Sequence, residues 1–337
     1  MTAITGVPAS SSPLLSVREL SVEFQINGAP VRAVDSVSFD VARGEVLGVV
    51  GESGCGKSLT ALSLMRLAPE PAARLSGEVL LDGRDLLKCS EKEMREIRGS
   101  RMAMVFQDPL SSLNPVMTVG AQVAEAISLH QKVGRLEAWD RAVEMLDRVR
   151  IPEAKRRANA FPHQVSGGQR QRVMIAMAFA CNPDLVIADE PTTALDVTVQ
   201  RQVLDLMLDL KAERQASVIL ITHDLGVVAE TADRVQVMYG GRIVETGPVE
   251  ELFSNPRHPY TRALLASVPR LEGERRTRLH SITGQPPELA HMPPGCPFAP
   301  RCEQAMDGCS EMPGWTELSP VHLARCWALS DDGHRSV

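Results

Sequence analysis

Four short motifs follow one another in this chain, and their order restricts its possible fold more than any other feature. Residues 51–58 read Gly-Glu-Ser-Gly-Cys-Gly-Lys-Ser, which fits GxxxxGKS, a loop whose backbone N–H groups bind phosphate. Residues 165–169 read Val-Ser-Gly-Gly-Gln, residues 185–190 are an apolar run ending in two carboxylates, and residues 222–224 read Thr-His-Asp. Because the loop follows the apolar run 46–50, the pattern predicts a strand, a phosphate loop and a helix whose N-terminus faces the phosphate.

Length, composition and charge exclude several classes of protein. The chain has 337 residues, 44% of them hydrophobic, enough for one large domain or two smaller ones with a sizeable core. Its formal net charge of −6 argues against nucleic acid as the main partner. No uncharged apolar stretch is long enough to span a bilayer. The N-terminus lacks the features of a signal peptide, so we predict a disordered tail at 1–14 and a chain that stays in the cytoplasm. Its seven cysteines are then expected to be thiols.

The pattern along the chain predicts an α/β protein with two additions. Strand-like and helix-like segments alternate through residues 15–254, and they include predicted helices at 58–67 and 170–180 and a predicted hairpin at 235–245. Within them, apolar residues at three- and four-residue steps predict a helical insert at about 108–165. From about residue 255, proline, glycine and cysteine accumulate and the apolar periodicity fades, which predicts a small appended domain at 255–337.

The motif residues match the chemistry of nucleotide hydrolysis. Lys57 is expected to reach the β- and γ-phosphates and Ser58 to bind Mg²⁺. Asp189 and Glu190 follow an apolar strand, as a Mg²⁺-positioning carboxylate and a general base would. The alternatives are a chance match of the loop pattern and an exposed acidic strand end. For residues 165–169 the alternative is a simple helix N-cap by Ser166.

Together the motifs resemble those of the ATP-binding cassette (ABC) family. The resemblance implies a P-loop NTPase nucleotide-binding domain, in which a RecA-like core carries an antiparallel β subdomain and a helical subdomain. Residues 51–58 resemble Walker A and residues 185–190 resemble Walker B. Residues 165–169, with Val165 where the family usually has leucine, resemble the segment that binds the γ-phosphate held by the opposite subunit. Hydrolysis then implies a head-to-tail dimer with two ATP molecules at its interface.

The resemblance also implies a role for individual residues. Glu190 becomes the general base, Gln107 the Q-loop residue that contacts Mg²⁺ or the attacking water, and His223 a γ-phosphate contact. Residues 193–196 resemble the D-loop. Phe24 fits the aromatic that stacks on adenine, where the family more often has tyrosine, although a residue on an alternating strand could equally belong to the core. The implied catalytic residues are Glu190, His223, Gln107 and Lys57. The implied nucleotide-binding residues are Phe24, Gly51, Ser53, Gly54, Cys55, Gly56, Lys57, Ser58, Leu59, Asp189, Ser166, Gly167, Gly168, Gln169 and Asp196. The implied Mg²⁺ ligands are Ser58, Gln107 and Asp189.

Four cysteines near the C-terminus predict a thiolate-bound metal centre. Cys296, Cys302, Cys309 and Cys326 are spaced C-x5-C-x6-C-x16-C. This spacing lacks the paired CxxC of common zinc ribbons and the runs of ferredoxins. Chemistry alone leaves iron–sulfur, zinc, and unligated or disulfide-bonded cysteines open. The nearby histidines are further candidate ligands, with a structural role as the alternative for the first: His258, His291 and His322.

The tail narrows the resemblance to one subfamily. Residues 255–265 and 295–302 look like the C-terminal extension of oligopeptide/dipeptide (peptide/nickel) importer ATPases, and residues 52–53 and 107–115 fit the same subfamily. Members with this cysteine pattern carry a 4Fe–4S cluster. The resemblance therefore implies ATP, Mg²⁺ and a 4Fe–4S cluster as cofactors, with the four cysteines as cluster ligands.

The implied function is ATP hydrolysis that energises import of di- and oligopeptides, performed at the cytoplasmic face of the membrane. The implied partners are two multi-span permease subunits that dock near 107–122, a second ABC ATPase subunit, and an extracytoplasmic solute-binding protein. One alternative is an importer of nickel or another small solute. A second is a soluble ABC ATPase acting on nucleic acid or ribosomes, but the chain lacks a second cassette and a coiled-coil insertion. A third is a P-loop kinase or GTPase, against which residues 165–169 and His223 argue.

Overall fold

The computed structural model of the chain describes residues 12–26, 28–69, 72–193, 195–267, 282–332 and 335–336. Most of the predicted N-terminal tail and residues 268–281 of the predicted extension lie outside the described residues. Leu14, the last residue of that predicted tail, is buried. Its N–H donates to the carbonyl oxygen of Val41 at 2.9 Å, so the folded chain includes it.

Strands and helices alternate along the chain. The strands are β1 (Leu15–Ile26), β2 (Ala29–Val41), β3 (Val46–Val50), β4 (Ala73–Leu81), β5 (Arg84–Asp85), β6 (Met102–Val105), β7 (Leu185–Asp189), β8 (Ser217–Ile221), β9 (Arg234–Tyr239), β10 (Arg242–Pro248), β11 (Thr316–Ser319), β12 (His322–Ala324) and β13 (Arg335–Ser336). The α-helices are α1 (Lys57–Leu64), α2 (Glu91–Ile97), α3 (Pro109–Ser112), α4 (Val119–Gln131), α5 (Arg135–Arg148), α6 (Ala154–Arg157), α7 (Gly167–Phe179), α8 (Val197–Arg214), α9 (Leu225–Thr231), α10 (Val249–Ser254) and α11 (Pro259–Ala266). Within the described ranges, no helix has the length and apolar character needed to cross a membrane.

The chain divides into two compact units. The first unit comprises the described residues up to Ala42, Val46–Lys88 and those from Thr222 onward. The second unit comprises Arg43–Glu45 and Cys89–Ile221. The described part of the extension belongs to the first unit.

An antiparallel sheet occupies the N-terminal part of the first unit. β1 lies between β2 and β4, and β5 pairs with β4. Leu15 and Val17 are buried, and so are Leu20 and Val22, so the alternation changes phase within β1. The change coincides with a register shift beside Glu19, whose φ is +48°. A bulge of this kind re-aims the side chains that follow it.

The remaining strands of the first unit connect the phosphate loop to the C-terminal extension. β3 pairs in parallel with β9, and β9 forms with β10 the antiparallel hairpin that the sequence predicts. β12 of the extension pairs with β10, and β11 pairs with β12. The extension therefore contributes strands to the sheet that contains β3.

The second unit combines a parallel sheet with the predicted helical insert. β7 pairs in parallel with both β6 and β8, and all five residues of β7 are buried. Helices α3 to α6 fall inside the predicted insert. Val123 and Ile127 of α4 and Ala142 and Leu146 of α5 are buried, which fits the three- and four-residue apolar steps in the sequence.

Candidate nucleotide site

The predicted phosphate loop connects β3 to α1 in the first unit. Two of its glycines have backbone conformations that side chains rarely adopt, with φ +155° at Gly51 and +103° at Gly56. A Cβ at Gly51 would lie 2.2 Å from the carbonyl oxygen of Met238, and one at Gly56 would lie 2.9 Å from that of Ala33. Both positions therefore require glycine, because neighbouring backbone leaves no room for a side chain.

Lys57 is the first residue of α1, and its side chain turns back over the loop. Its Nζ donates to the carbonyl oxygens of Gly51 at 2.8 Å and Glu52 at 3.0 Å. It also lies 3.8 Å from Sγ of Cys55. Burial raises the pKa of the Cys55 thiol, which keeps that side chain neutral. The ammonium group at a helix N-terminus beside loop amides forms an arrangement suited to phosphate.

The other predicted residues of the first unit differ in exposure. His223 is exposed and lies just before α9, which Asp224 caps by accepting from the N–H of Gly226 at 2.9 Å. Phe24 lies on β1 opposite Val31 and is half-buried, which leaves part of the ring accessible. Ser53 and Gly54 are exposed at the tip of the loop, and Ser58 and Leu59 are half-buried in the first turn of α1.

The acidic pair lies at the carboxyl end of β7 in the second unit. Asp189 is buried and Glu190 is half-buried. Gln107 follows β6, the parallel neighbour of β7, and its Nε2 donates to Oε2 of Glu190 at 3.2 Å. Oγ1 of Thr193 donates to the same oxygen at 2.8 Å. Two neutral donors thus orient the Glu190 carboxylate, as suits a general base.

The backbone of Glu190 is also unusual. Its φ is +46°, a left-handed conformation that non-glycine residues seldom adopt. Its N–H donates to the carbonyl oxygen of Ile221, the last residue of β8, at 2.9 Å. Residues held in such conformations concentrate at functional sites, and Glu190 is held by both backbone and side-chain contacts.

Residues 166–169 form the N-terminus of α7. Oγ of Ser166 accepts from the N–H of Gln169 at 3.3 Å, and Oε1 of Gln169 accepts from the N–H of Ser166 at 3.1 Å. This reciprocal pair is a capping box, so the N-cap interpretation describes the contacts within this chain. Ser166 and Gly167 are exposed, and a Cβ at Gly168 would lie 2.9 Å from Cγ1 of Val199. The exposed helix N-terminus retains the positive dipole end that attracts anions.

Asp196 begins α8 in a similar way. Its Oδ1 accepts from the N–H of Val199 at 2.9 Å, and the residue is exposed. The structure therefore gives Asp196 a capping role within the chain.

The four cysteines of the extension line one small cavity in the first unit. The cavity is lined by Cys296, Cys302, Cys309, Cys326 and His258, among others. The N–H of Cys296 donates to the carbonyl oxygen of Cys309 at 3.0 Å. Burial raises the pKa of the Cys296 and Cys302 thiols, and raises that of Cys326 to about 11. Among the described residues, no group of three or more histidine, cysteine, aspartate or glutamate side chains is arranged to hold a single metal ion.

Each of the three candidate histidine ligands has another partner within the chain. His322 is buried, and its Nε2 lies 2.8 Å from Oε1 of Glu245. His291 is exposed and lies 3.1 Å from Glu288. His258 is buried and caps α11, with its Nδ1 accepting from the N–H of Tyr260 at 3.0 Å, which agrees with a structural role.

Two residues of the extension that no sequence motif identifies hold Glu52 of the phosphate loop. The hydroxyl of Tyr260 accepts from the N–H of Glu52 at 2.8 Å. The guanidinium of Arg301 donates to both carboxylate oxygens of Glu52, at 2.6 and 3.0 Å. The only signal in the sequence was that both lie in segments singled out for their resemblance, 255–265 and 295–302.

Two family models match the chain. The model described as ABC transporter matches residues 34–193. The model described as oligopeptide/dipeptide transporter, C-terminal region, matches residues 244–309. The first match contains the phosphate loop and the acidic pair, and the second contains Tyr260 and Arg301 together with three of the four cysteines.

Known proteins resemble the chain over nearly its whole length. It is 55% identical over 320 residues to the "Probable peptide ABC transporter ATP-binding protein y4tR" of Sinorhizobium fredii, which covers 94% of this chain and 96% of that protein. It is 50% identical over 321 residues to the oligopeptide transport ATP-binding protein OppD of Bacillus subtilis, with 95% and 90% covered. Among solved structures, it is similar to the dimeric ATP-binding cassette MJ0796 in a post-hydrolysis state bound to ADP and phosphate. That similarity has a TM-score of 0.63 and 28% identity, and it covers 70% of this chain and 98% of that chain.

Proposed function

Because the chain belongs to the ABC transporter family, among the ATP-binding proteins of oligopeptide and dipeptide transporters, we propose that its ATP hydrolysis energises import of di- and oligopeptides. The observation that carries the proposal is one chain that matches both the cassette and the oligopeptide/dipeptide C-terminal region. The chain is an ATPase of the ABC type, and we assign it to the cytoplasmic face of the membrane. Its expected substrate at the nucleotide site is Mg²⁺–ATP.

The proposed chemistry assigns separate tasks to the predicted residues. Lys57 and the amides of the phosphate loop bind and orient the phosphates, which supplies positioning and charge stabilisation. Ser58 and Asp189 would hold Mg²⁺, and Gln107 would be a further contact. Glu190 accepts a proton from the attacking water, and its contacts with Gln107 and Thr193 support this role. His223 contacts the γ-phosphate.

The proposed assembly contains a second ABC ATPase subunit, two multi-span permease subunits and an extracytoplasmic solute-binding protein. In the second unit, Leu110 and Val116 are exposed to 63% and 79% and follow Gln107 closely in sequence. An exposed apolar pair of this kind suits contact with another protein, and supports placing the permease contact at 107–122. Ser166 and Gly167 are the residues proposed to meet the nucleotide of the second ATPase subunit.

Affinity purification and uptake together test the proposal. The chain is purified from detergent-solubilised membranes of its source organism, and every co-purifying protein is identified. Two multi-span proteins together with a solute-binding protein are expected. Ribosomes or DNA in their place would overturn the transporter assignment.

Uptake assays then identify the solute. Cells that lack this chain are complemented with wild type, with Glu190→Gln, or with the control Glu144→Gln at an exposed position of α5. We expect wild type and Glu144→Gln to restore uptake of labelled di- and oligopeptides, and Glu190→Gln to fail. Restored nickel uptake without peptide uptake would show that the imported solute is a small solute such as nickel and not a peptide.

We also propose that the four cysteines hold the 4Fe–4S cluster that the subfamily resemblance implies. Four thiols around one cavity supply the donor set that such clusters use. When bound, the cluster would supply a rigid cross-link among the cysteine-bearing segments.

Metal analysis of anaerobically purified protein tests this assignment. We expect about four iron and four sulfide per chain, and loss of both in Cys302→Ser. The matched control is Cys181→Ser, a half-buried thiol of the second unit, which should leave the iron content unchanged. Zinc without iron, or no metal at all, would overturn the cluster.

A further inference from the structure

Two separate groups of the C-terminal extension contact Glu52 of the phosphate loop. Tyr260 accepts from the Glu52 N–H at 2.8 Å, and Arg301 binds the Glu52 carboxylate through two hydrogen bonds at 2.6 and 3.0 Å. The carbonyl oxygen of Glu52 accepts from Nζ of Lys57 at 3.0 Å. The backbone N–H, the backbone carbonyl and the side chain of one loop residue are thus all engaged.

The Arg301 side chain is held rigidly in this position. Its side chain is 5% exposed, and its guanidinium also donates to the hydroxyl of Tyr239 at 3.1 Å and to the carbonyl oxygen of Thr283 at 3.0 Å. The hydrogen bond to Glu52 raises the pKa of Arg301, which keeps the group charged. A planar guanidinium that binds a carboxylate through two bonds fixes orientation as well as distance.

Tyr260 is held by an aromatic cluster. Tyr260 and Tyr239 are both buried, with their ring centroids 4.5 Å apart. Phe298 lies 5.2 Å from Tyr239 and 5.3 Å from Tyr260. The hydroxyl that accepts from Glu52 therefore lies on a ring whose position is set by the neighbouring aromatic residues and not by the loop.

The contacts fix the direction of the Glu52 peptide group. Because its N–H donates to the hydroxyl of Tyr260, this amide is directed toward the extension. The loop amides that follow Glu52 take their direction from that constraint and from the two glycine conformations at Gly51 and Gly56. Pre-set donors of this kind bind an anion without the cost of ordering the loop at the moment of binding.

We infer that Arg301 and Tyr260 of the C-terminal extension are positioning residues for the phosphate loop, and that they raise its affinity for ATP by holding Glu52. The inference rests on ATP binding by the chain. Arg301 directly precedes Cys302 and lies in the turn Ala299–Arg301, so the segment that holds Glu52 also carries one of the cavity cysteines.

Nucleotide affinity of point variants tests the inference. The probe is the non-hydrolysable analogue AMP-PNP with Mg²⁺, titrated into the full chain. We expect Arg301→Gln to raise the Kd about tenfold and Tyr260→Phe to raise it about threefold, within the usual range of coupling between sites. The control is Arg262→Gln, an exposed residue of α11 whose Nε donates to the carbonyl oxygen of Pro256, and it should leave the Kd unchanged.

Three further readouts separate positioning from simple stability. In ATP turnover, KM should rise while kcat stays near that of wild type. Hydrogen exchange at the Glu52 amide should speed up in Tyr260→Phe, which keeps the aromatic ring. Glu52→Gln combined with Arg301→Gln should weaken binding no more than either alone, because both remove one contact.

Several outcomes would overturn the inference. A lowered melting temperature with unchanged Kd in Arg301→Gln and Tyr260→Phe would show that both contacts stabilise the fold without affecting the affinity for nucleotide. If Arg301→Gln does not fold, the affinities of Tyr260→Phe and Arg301→Lys for AMP-PNP test the inference instead. Unchanged affinity in both variants would contradict it. Failure of wild type to bind AMP-PNP would instead contradict ATP binding itself, so the two failures are distinguishable.

Discussion

Glu190 at the end of β7 and Glu245 within β10 are the same residue type in contrasting surroundings. Glu245 is fully buried, and its carboxylate accepts from the N–H groups of Arg257 and His258 at 2.8 and 2.9 Å and pairs with His322. Glu190 is half-buried, has a left-handed backbone, and is oriented by two neutral side chains.

The difference distinguishes a carboxylate that stabilises the fold, Glu245, from one suited to act as a general base, Glu190. Burial alone would raise the pKa of Glu245, but hydrogen bonds from His322 and from the backbone amides lower it below its ordinary value. A carboxylate whose charge is stabilised so completely is a poor proton acceptor. Glu190 is oriented at a partly open position, which is what a general base requires.

The largest effect is expected at Glu190. Glu190→Gln keeps the shape and loses the base, so ATP turnover should fall about 100- to 10,000-fold while ATP binding persists. Phosphate release and nucleotide binding measure the two properties, and size-exclusion chromatography with ATP should show a trapped dimer. Turnover equal to wild type would remove Glu190 from the mechanism.

The next effect is on stability, at Glu245. Glu245→Gln leaves His322 and the backbone amides of Arg257 and His258 without a charged acceptor. It should therefore lower the free energy of unfolding by about 3 kcal/mol. Urea unfolding measures this difference. The matched control Glu250→Gln, at an exposed position of α10, should change it by no more than about 0.5 kcal/mol. An equal effect of both substitutions would contradict the contrast.

The stability contributed by Glu245 should depend on pH in one direction. Its folded pKa lies below the ordinary 4.5, so the contribution is complete above about pH 5 and is lost as pH falls through the folded pKa. The difference in unfolding free energy between wild type and Glu245→Gln should therefore be constant from about pH 7 to pH 5 and shrink below that range. A difference that grows in acid would show that the sign is wrong.

The smallest effect is expected where a neutral donor orients Glu190. Thr193→Val removes a hydrogen bond of 2.8 Å and should lower kcat about threefold to tenfold, with ATP affinity unchanged. The control is Thr198→Val, at an exposed position of α8, which should leave kcat alone. Because Gln107 donates to the same oxygen, Thr193→Val and Gln107→Leu should combine non-additively. Independent, additive losses would mean that the two donors do not act through one carboxylate.

Local sequence predicted the elements whose causes are local. The hairpin predicted at residues 235–245 is present as β9 and β10, because Gly240 and Gly241 can adopt the positive φ of its turn. The helix predicted from 58 to 67 ends at Leu64. Arg66 takes a φ of +50°, and no helix breaker in the sequence announces that end. The helix predicted from 170 begins at Gly167 because Ser166 and Gln169 form a capping box.

The sequence by itself determined the phosphate loop, the acidic strand end and the family, because each depends on residues that are adjacent in the chain. Tertiary structure decided the partners of those motifs. Arg301 meets Glu52 across 249 positions and His322 meets Glu245 across 77. No local pattern encodes such separations. Pairing of β12 with β10 brings the extension to the sheet that carries the phosphate loop, and Arg301, Tyr260 and His322 find their partners only in the folded chain.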